Sequence, residues 1–156
     1  MTTITKSGLA LGVVLLGGAI EARADCQYLR GGITETRIPS NDQFGRLLGV
    51  VTGVLNGSST VYVMSQGPTR SYDVFVTIQG DMLLAIGAPV RTPVPGEPGE
   101  FTVHVDLTIV GGAGKYADAT GTMTFDGTSH TLAVPPSVDL TYKGTACGPN
   151  IKSGGN

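Results

Sequence analysis

Apolar and polar residues alternate with a period of two through most of this chain. Phe101, Val103, Val105, Leu107 and Ile109 interleave with Thr102, His104, Asp106, Thr108 and Val110. Tyr72, Val74, Val76 and Ile78 interleave with Asp73, Phe75, Thr77 and Gln79, and shorter runs do the same around Met123 and Phe125 and around Val138, Leu140 and Tyr142. A strand puts successive side chains on opposite faces, so this period predicts strands; the 3.6-residue period of an amphipathic helix is absent. Between the runs stand turn-forming clusters: Asn56-Gly57-Ser58-Ser59, Gln66-Gly67-Pro68, Gly80-Asp81, Pro93 to Gly99, Gly111 to Gly114, Asp126-Gly127 and Pro135-Pro136. The pattern predicts eight strands, over 33–38, 44–56, 59–66, 71–80, 82–91, 100–111, 119–126 and 137–146, with a short extra strand near 129–133. Short connections of hairpin type make the sheet antiparallel. The expected fold is all-β, a small eight-stranded antiparallel barrel or a sandwich.

One stretch departs from simple alternation. In FGRLLGVVTGVLNG, glycines recur at 45, 49, 53 and 57 with Leu47, Val51 and Leu55 between them. An even spacing places all four glycines on one face of a strand. They serve either sheet curvature and closure or the close approach of a ligand to the backbone.

The N-terminus follows another logic. Lys6 precedes the apolar run Leu9 to Ile20, and Ala22-Arg23-Ala24 has the small-x-small form of a cleavage site. This is the layout of a secretory signal peptide over residues 1–24. The run is shorter than the roughly 20 residues a spanning helix needs, and Asp25 directly before Cys26 argues against lipid attachment. A single barrel domain is expected over 25–150, a disordered tail over 151–156, no membrane span in the mature chain, and a secreted or periplasmic location. The formal net charge of −2 and the lack of a basic run leave no patch for a phosphate backbone, so nucleic acid is excluded as a partner. In an exported chain the two cysteines, Cys26 and Cys147, read as one disulfide joining the ends of the domain.

The Gly-rich stretch IVGGAGKYADATG, 109–121, raises the question of a phosphate loop. A Walker loop needs Gly five residues before Gly114, where Ile109 stands, and Ser or Thr after Lys115, where Tyr116 stands. The dinucleotide form is met by Gly112, Gly114 and Ala117, but it requires a following helix and a parallel strand. Only Asp118, Ala119 and Thr120 separate Ala117 from Gly121 and the next strand, so the segment is a turn containing about one helical turn over 115–119.

GGAGKYADATGTMTF resembles a segment shared by allene oxide cyclases, dirigent proteins and their bacterial relatives. The matching positions are Gly111, Gly112, Gly114, Lys115, Tyr116, Ala119 and Gly121, and upstream FGRLLGVVTGVLNGSSTVYV looks like the Gly-rich paired strands of the bacterial members. The resemblance spans roughly residues 44–147. It implies an eight-stranded antiparallel barrel with a cavity, a homo-trimer, a small hydrophobic or phenolic ligand, and no metal or organic cofactor. No local motif matches the catalytic residues of those proteins.

Candidate chemistry is sparse. His104 and Asp106 share one face of a predicted strand with Thr102 and Thr108. If that face lined a cavity, Asp106 would orient His104 as an acid or base; if it faced solvent, both would be surface residues. Tyr142, near Asp139 and Lys143 on the last strand, could donate to an epoxide or phenol oxygen, or be a core tyrosine. Asp73 and Arg46 read as a surface salt bridge, and His130 as a loop or edge residue. Nucleophile-elbow and metal-ligand spacings are absent. These features are compatible with a binding protein holding an apolar or phenolic molecule, with a cofactor-free cyclase or isomerase, or with a structural envelope protein.

Overall fold

The computed structural model of the protein describes residues 25–39, 44–64 and 68–152. The expected signal peptide, Gln66-Gly67 and the last four residues of the chain lie outside the described residues. Eight strands follow one another: β1 (Asp25–Ile38), β2 (Phe44–Val51), β3 (Gly57–Met64), β4 (Arg70–Thr77), β5 (Met82–Pro93), β6 (Glu100–Ala113), β7 (Thr120–His130) and β8 (Ser137–Gly148). Each pairs antiparallel with its neighbours in sequence, and β8 returns to β1, closing the barrel. Closure leaves no free sheet edge.

Most strand ends differ by a few residues from the sequence reading, and three differences change the architecture. The first strand begins at Asp25, because β8 pairs with it along its length, from Asp25↔Gly148 to Thr36↔Ser137. The second stops at Val51, and Gly53–Leu55 forms a 3-10 turn that folds back over the barrel end. The extra strand near 129–133 is absent as a separate element; its first residues continue β7 to His130.

The barrel is held shut by covalent and hydrophobic means. Cys26 and Cys147 are direct cross-strand partners on the β1–β8 seam and form a disulfide, with a Cα–Cα distance of 4.0 Å. Inside, Phe75, Phe125 and Tyr142 make edge-on ring contacts at 5.9 and 6.5 Å between centroids, and Leu29, Leu83, Leu107 and Met123 fill the space around them. Fully burying each aliphatic side chain stabilises by roughly 1.5–3 kcal/mol.

The two ends of the barrel differ. At one end, Leu55 from the first 3-10 turn and Tyr116 from a second one, Gly114–Tyr116, are fully buried and plug the interior. Tyr142 anchors the first plug, its hydroxyl accepting from the Leu55 amide at 2.9 Å and donating to the Thr52 carbonyl at 2.8 Å. Gly31 faces Tyr142 across the seam, and a Cβ there would lie 2.6 Å from the tyrosine ring and hydroxyl. Asp81 anchors the second plug by accepting from the Lys115 amide at 2.9 Å. Gly114 there has φ +64, a conformation glycine adopts freely. The Gly-rich stretch is therefore a turn that caps the barrel, and Lys115 lies over the ring of Tyr116, 4.8 Å from its centroid. At the opposite end, where β1–β2, β3–β4, β5–β6 and β7–β8 connect, the described residues leave the barrel interior open as a cavity.

Candidate functional site

Strand β4 decides what the open half of the barrel contains. Of its two faces, the one carrying Ser71, Asp73, Phe75 and Thr77 is buried, and the one carrying Tyr72 and Val76 is exposed. Hydropathy alone favours the opposite orientation. Phe75 locks the observed phase, since its ring packs on Phe125 across the interior. A one-residue shift would turn the whole set over. Asp73 comes inside as a consequence, between Val61 of β3 and Ala85 of β5.

Glu35 enters in the same way from β1. One row of the sheet runs Glu35, Gly49, Ser59, Phe75. The glutamate reaches across Gly49 and accepts a hydrogen bond from the Ser59 hydroxyl at 2.8 Å. A Cβ on residue 49 would lie 2.6 Å from both Glu35 Cγ and Ser59 Oγ. One glycine of the four-residue stripe thus serves neither a ligand nor curvature alone; its missing side chain is the space that the carboxyl group occupies.

These two acids are the chemically unusual groups of the interior. Asp73 is 3% exposed, and burial, reinforced by the nearby Glu35, pushes its carboxyl up to about 7. Ser71 on the same face opposes that shift, yet neither Ser71 Oγ nor Asp73 Oδ2 has a hydrogen-bond partner within bonding geometry. Burial also raises Glu35, against the lowering effect of the Ser59 hydroxyl. An unpartnered buried carboxyl oxygen is costly, and proteins rarely retain one without use.

The open end holds a cavity of about 490 Å³. Leu47, Val63 and Val138 form its apolar wall, Ser129 and Ser137 add hydroxyls, and Arg37 and Arg91 stand at its rim. Asp73 and Ser71 sit in the sheet beside this wall, as the direct partners of Val61 and Val63, but they do not line the cavity.

The residues singled out from the sequence lie elsewhere. His104 is on the outer surface, its side chain 49% exposed, with Nδ1 2.6 Å from Asp126 and Nε2 3.4 Å from Asp106. The hydrogen bond to Asp126 raises its pKa, helped by Asp106. His130 forms a similar outer pair, 2.6 Å from Glu100, and its pKa is raised by that bond. Neither histidine faces the cavity. Tyr142 is inside, but both of its hydrogen bonds go to the plug, and burial raises its pKa. Asp139 is also outside, accepting from the Thr34 hydroxyl at 2.8 Å. The Asp73–Arg46 salt bridge expected from the sequence does not form. The two residues are on opposite faces: Asp73 points inward, whereas Arg46 lies outside over the Tyr62 ring, 5.5 Å from its centroid. Among the described residues, no group of three or more metal-ligating side chains converges, and no helix is long and apolar enough to cross a membrane.

The chain is thus a small, closed, disulfide-linked antiparallel barrel, plugged at one end and hollow at the other. Neither a family model, nor a curated protein, nor a solved structure matches it.

Proposed function

We propose that this protein is exported and binds a small, largely apolar or phenolic molecule in the open end of its barrel. The observation that carries this reading is the cavity of about 490 Å³, whose apolar wall is interrupted by a few hydroxyls and whose rim carries two arginines. That volume and lining suit a small ligand held mainly by shape and burial. The disulfide and the N-terminal segment support export. The Gly-rich capping turn and the eight-stranded closure support kinship with the allene oxide cyclase and dirigent barrels. The exposed Leu48, Val50, Tyr72 and Val76 on the outer face of β2 and β4 support a homo-oligomer, which light scattering of the purified protein would test.

Gly45 provides the test of binding. It lines the cavity, and a Cβ there has room, its nearest neighbour being Val63 Cβ at 3.7 Å. Gly45→Phe fills the cavity without invading the packed half of the barrel. Titration with the fluorescent phenol 1-naphthol is expected to show saturable binding to the native protein and at least tenfold weaker binding to a Gly45→Phe protein of unchanged fold. Equal binding by both proteins refutes the proposal.

A further inference from the structure

The charges of the barrel are not spread evenly between its ends. Five arginines lie beyond residue 25, and four of them stand at the open end: Arg37 near the end of β1, Arg46 near the start of β2, Arg70 opening β4 and Arg91 near the end of β5. No lysine is found there; Lys115 and Lys152 are at the plugged end and Lys143 lies along β8. Among the described residues Arg37, Arg70 and Arg91 are exposed and take part in no ion pair. The acids described on the surface at this end are Glu97 in the β5–β6 loop, Glu100, and Asp139 near the start of β8, the last two engaged by His130 at 2.6 and 3.5 Å.

An apolar tip projects beside these arginines. In the β7–β8 loop Leu132 is 70% and Val134 is 98% exposed. The loop is held in place: Thr131 donates from its amide and its hydroxyl to the Gly99 carbonyl at 2.8 and 2.9 Å, and Leu132 packs over Gly99 so closely that a Cβ there would clash. Thr131 and Pro136, at the two ends of this loop, line the cavity. Exposed aliphatic side chains on a tethered loop, next to unpaired arginines, match a surface that offers anionic headgroups outside and hydrocarbon beneath. Guanidinium groups pair with phosphate oxygens in a bidentate manner.

We infer that the open end of the barrel docks on an anionic phospholipid bilayer, with Arg37, Arg70 and Arg91 contacting lipid phosphates and the Leu132–Val134 tip entering the interface. In this orientation the cavity mouth opens toward the lipid. The docking does not depend on the cavity binding a ligand.

The test uses the protein as the cell processes it from the full-length gene, sedimented with vesicles of pure phosphatidylcholine or of phosphatidylcholine with 30% phosphatidylglycerol. Binding is expected only to the anionic vesicles and is expected to fall with added salt. Arg70→Gln/Arg91→Gln and Leu132→Ser/Val134→Asp are each expected to weaken it roughly tenfold or more. These positions are exposed, so folding is preserved, and the melting temperature checks this. The inference is overturned if the native protein ignores anionic vesicles, or if both double variants bind like the native protein. It is also overturned if the tip substitution has no effect while soluble heparin competes fully, since the surface would then recognise polyanions rather than a bilayer.

Discussion

Asp73→Asn isolates the energetic consequence of turning the polar face of β4 inward. In the native fold the carboxyl group titrates near 7 rather than 3.8, a shift of roughly three units, which corresponds to about 4 kcal/mol. The sign follows from proton linkage. Between about pH 4 and pH 7 the folded protein holds a proton on Asp73 that the unfolded chain has released, so stability falls as the pH rises across that window. Below it both states are protonated and the cost vanishes; above it the full cost of a buried charge is present. Asparagine is nearly isosteric and cannot ionise. The variant is therefore expected to match the native protein within about 1 kcal/mol at pH 4 and to exceed it by up to about 4 kcal/mol at pH 8. Glu35 is also raised by burial and remains in both proteins; because it helps to raise Asp73, the difference between them reports Asp73 together with its coupling to Glu35. The assay is urea unfolding followed by far-ultraviolet circular dichroism at pH 4, 5, 6, 7 and 8, since the chain has no tryptophan to report by fluorescence. Two parallel stability curves would refute the reasoning, because an aspartate that ionises freely in the fold is not buried as described.

Other positions give separate tests. Gly49→Ala introduces a Cβ into the space of Glu35 Cγ and Ser59 Oγ, and is expected to cost about 1–3 kcal/mol; Glu35→Ala in the same chain should restore much of it, as measured by thermal melting of the single and double variants. Replacing Cys26 and Cys147 by Ser opens a link between residues 121 positions apart, which the chain-entropy account values at roughly 4–5 kcal/mol; calorimetry should show a lower melting temperature that reductant no longer changes. Tyr142→Phe leaves the buried Leu55 amide without its partner, with an expected cost of about 1–3 kcal/mol, and hydrogen exchange of that amide should quicken more than exchange in the β6–β7 ladder.

The alternation in β6 shows how much of this fold is local. Val103, Val105, Leu107 and Ile109 are buried, while the Thr102, His104 and Asp106 side chains are exposed, as a period of two requires of a sheet wetted on one side. The number of strands and the antiparallel order follow from such runs and from the turns between them, and the link between Cys26 and Cys147 from an even pair of cysteines in a chain whose N-terminus reads as an export signal. The residues that make the interior unusual carry no such signal. Residues 25–32, DCQYLRGG, have no clean alternation, and they form a strand because β8 offers a continuous row of partners. In β4 the more apolar face, carrying Tyr72, Val74 and Val76, is the one turned outward, so the inward turn of Asp73 depends on Phe75 meeting Phe125, fifty residues away in the chain. Glu35 looks like any exposed glutamate until the register sets Gly49 and Ser59 beside it. Likewise the alternation puts His104 and Asp106 on one face, read more readily as a surface pair than as a cavity pair, and barrel closure is what places that face outside.

Sequence by itself determined the period, the punctuation and the cysteine pair, because these act between neighbours along the chain or reflect its composition. Tertiary structure alone decided which face of each strand turned inward, which end of the barrel was plugged, and where the two acids and the arginines gathered. Those outcomes rest on contacts between residues far apart in the chain, and their energies do not exist until the barrel closes.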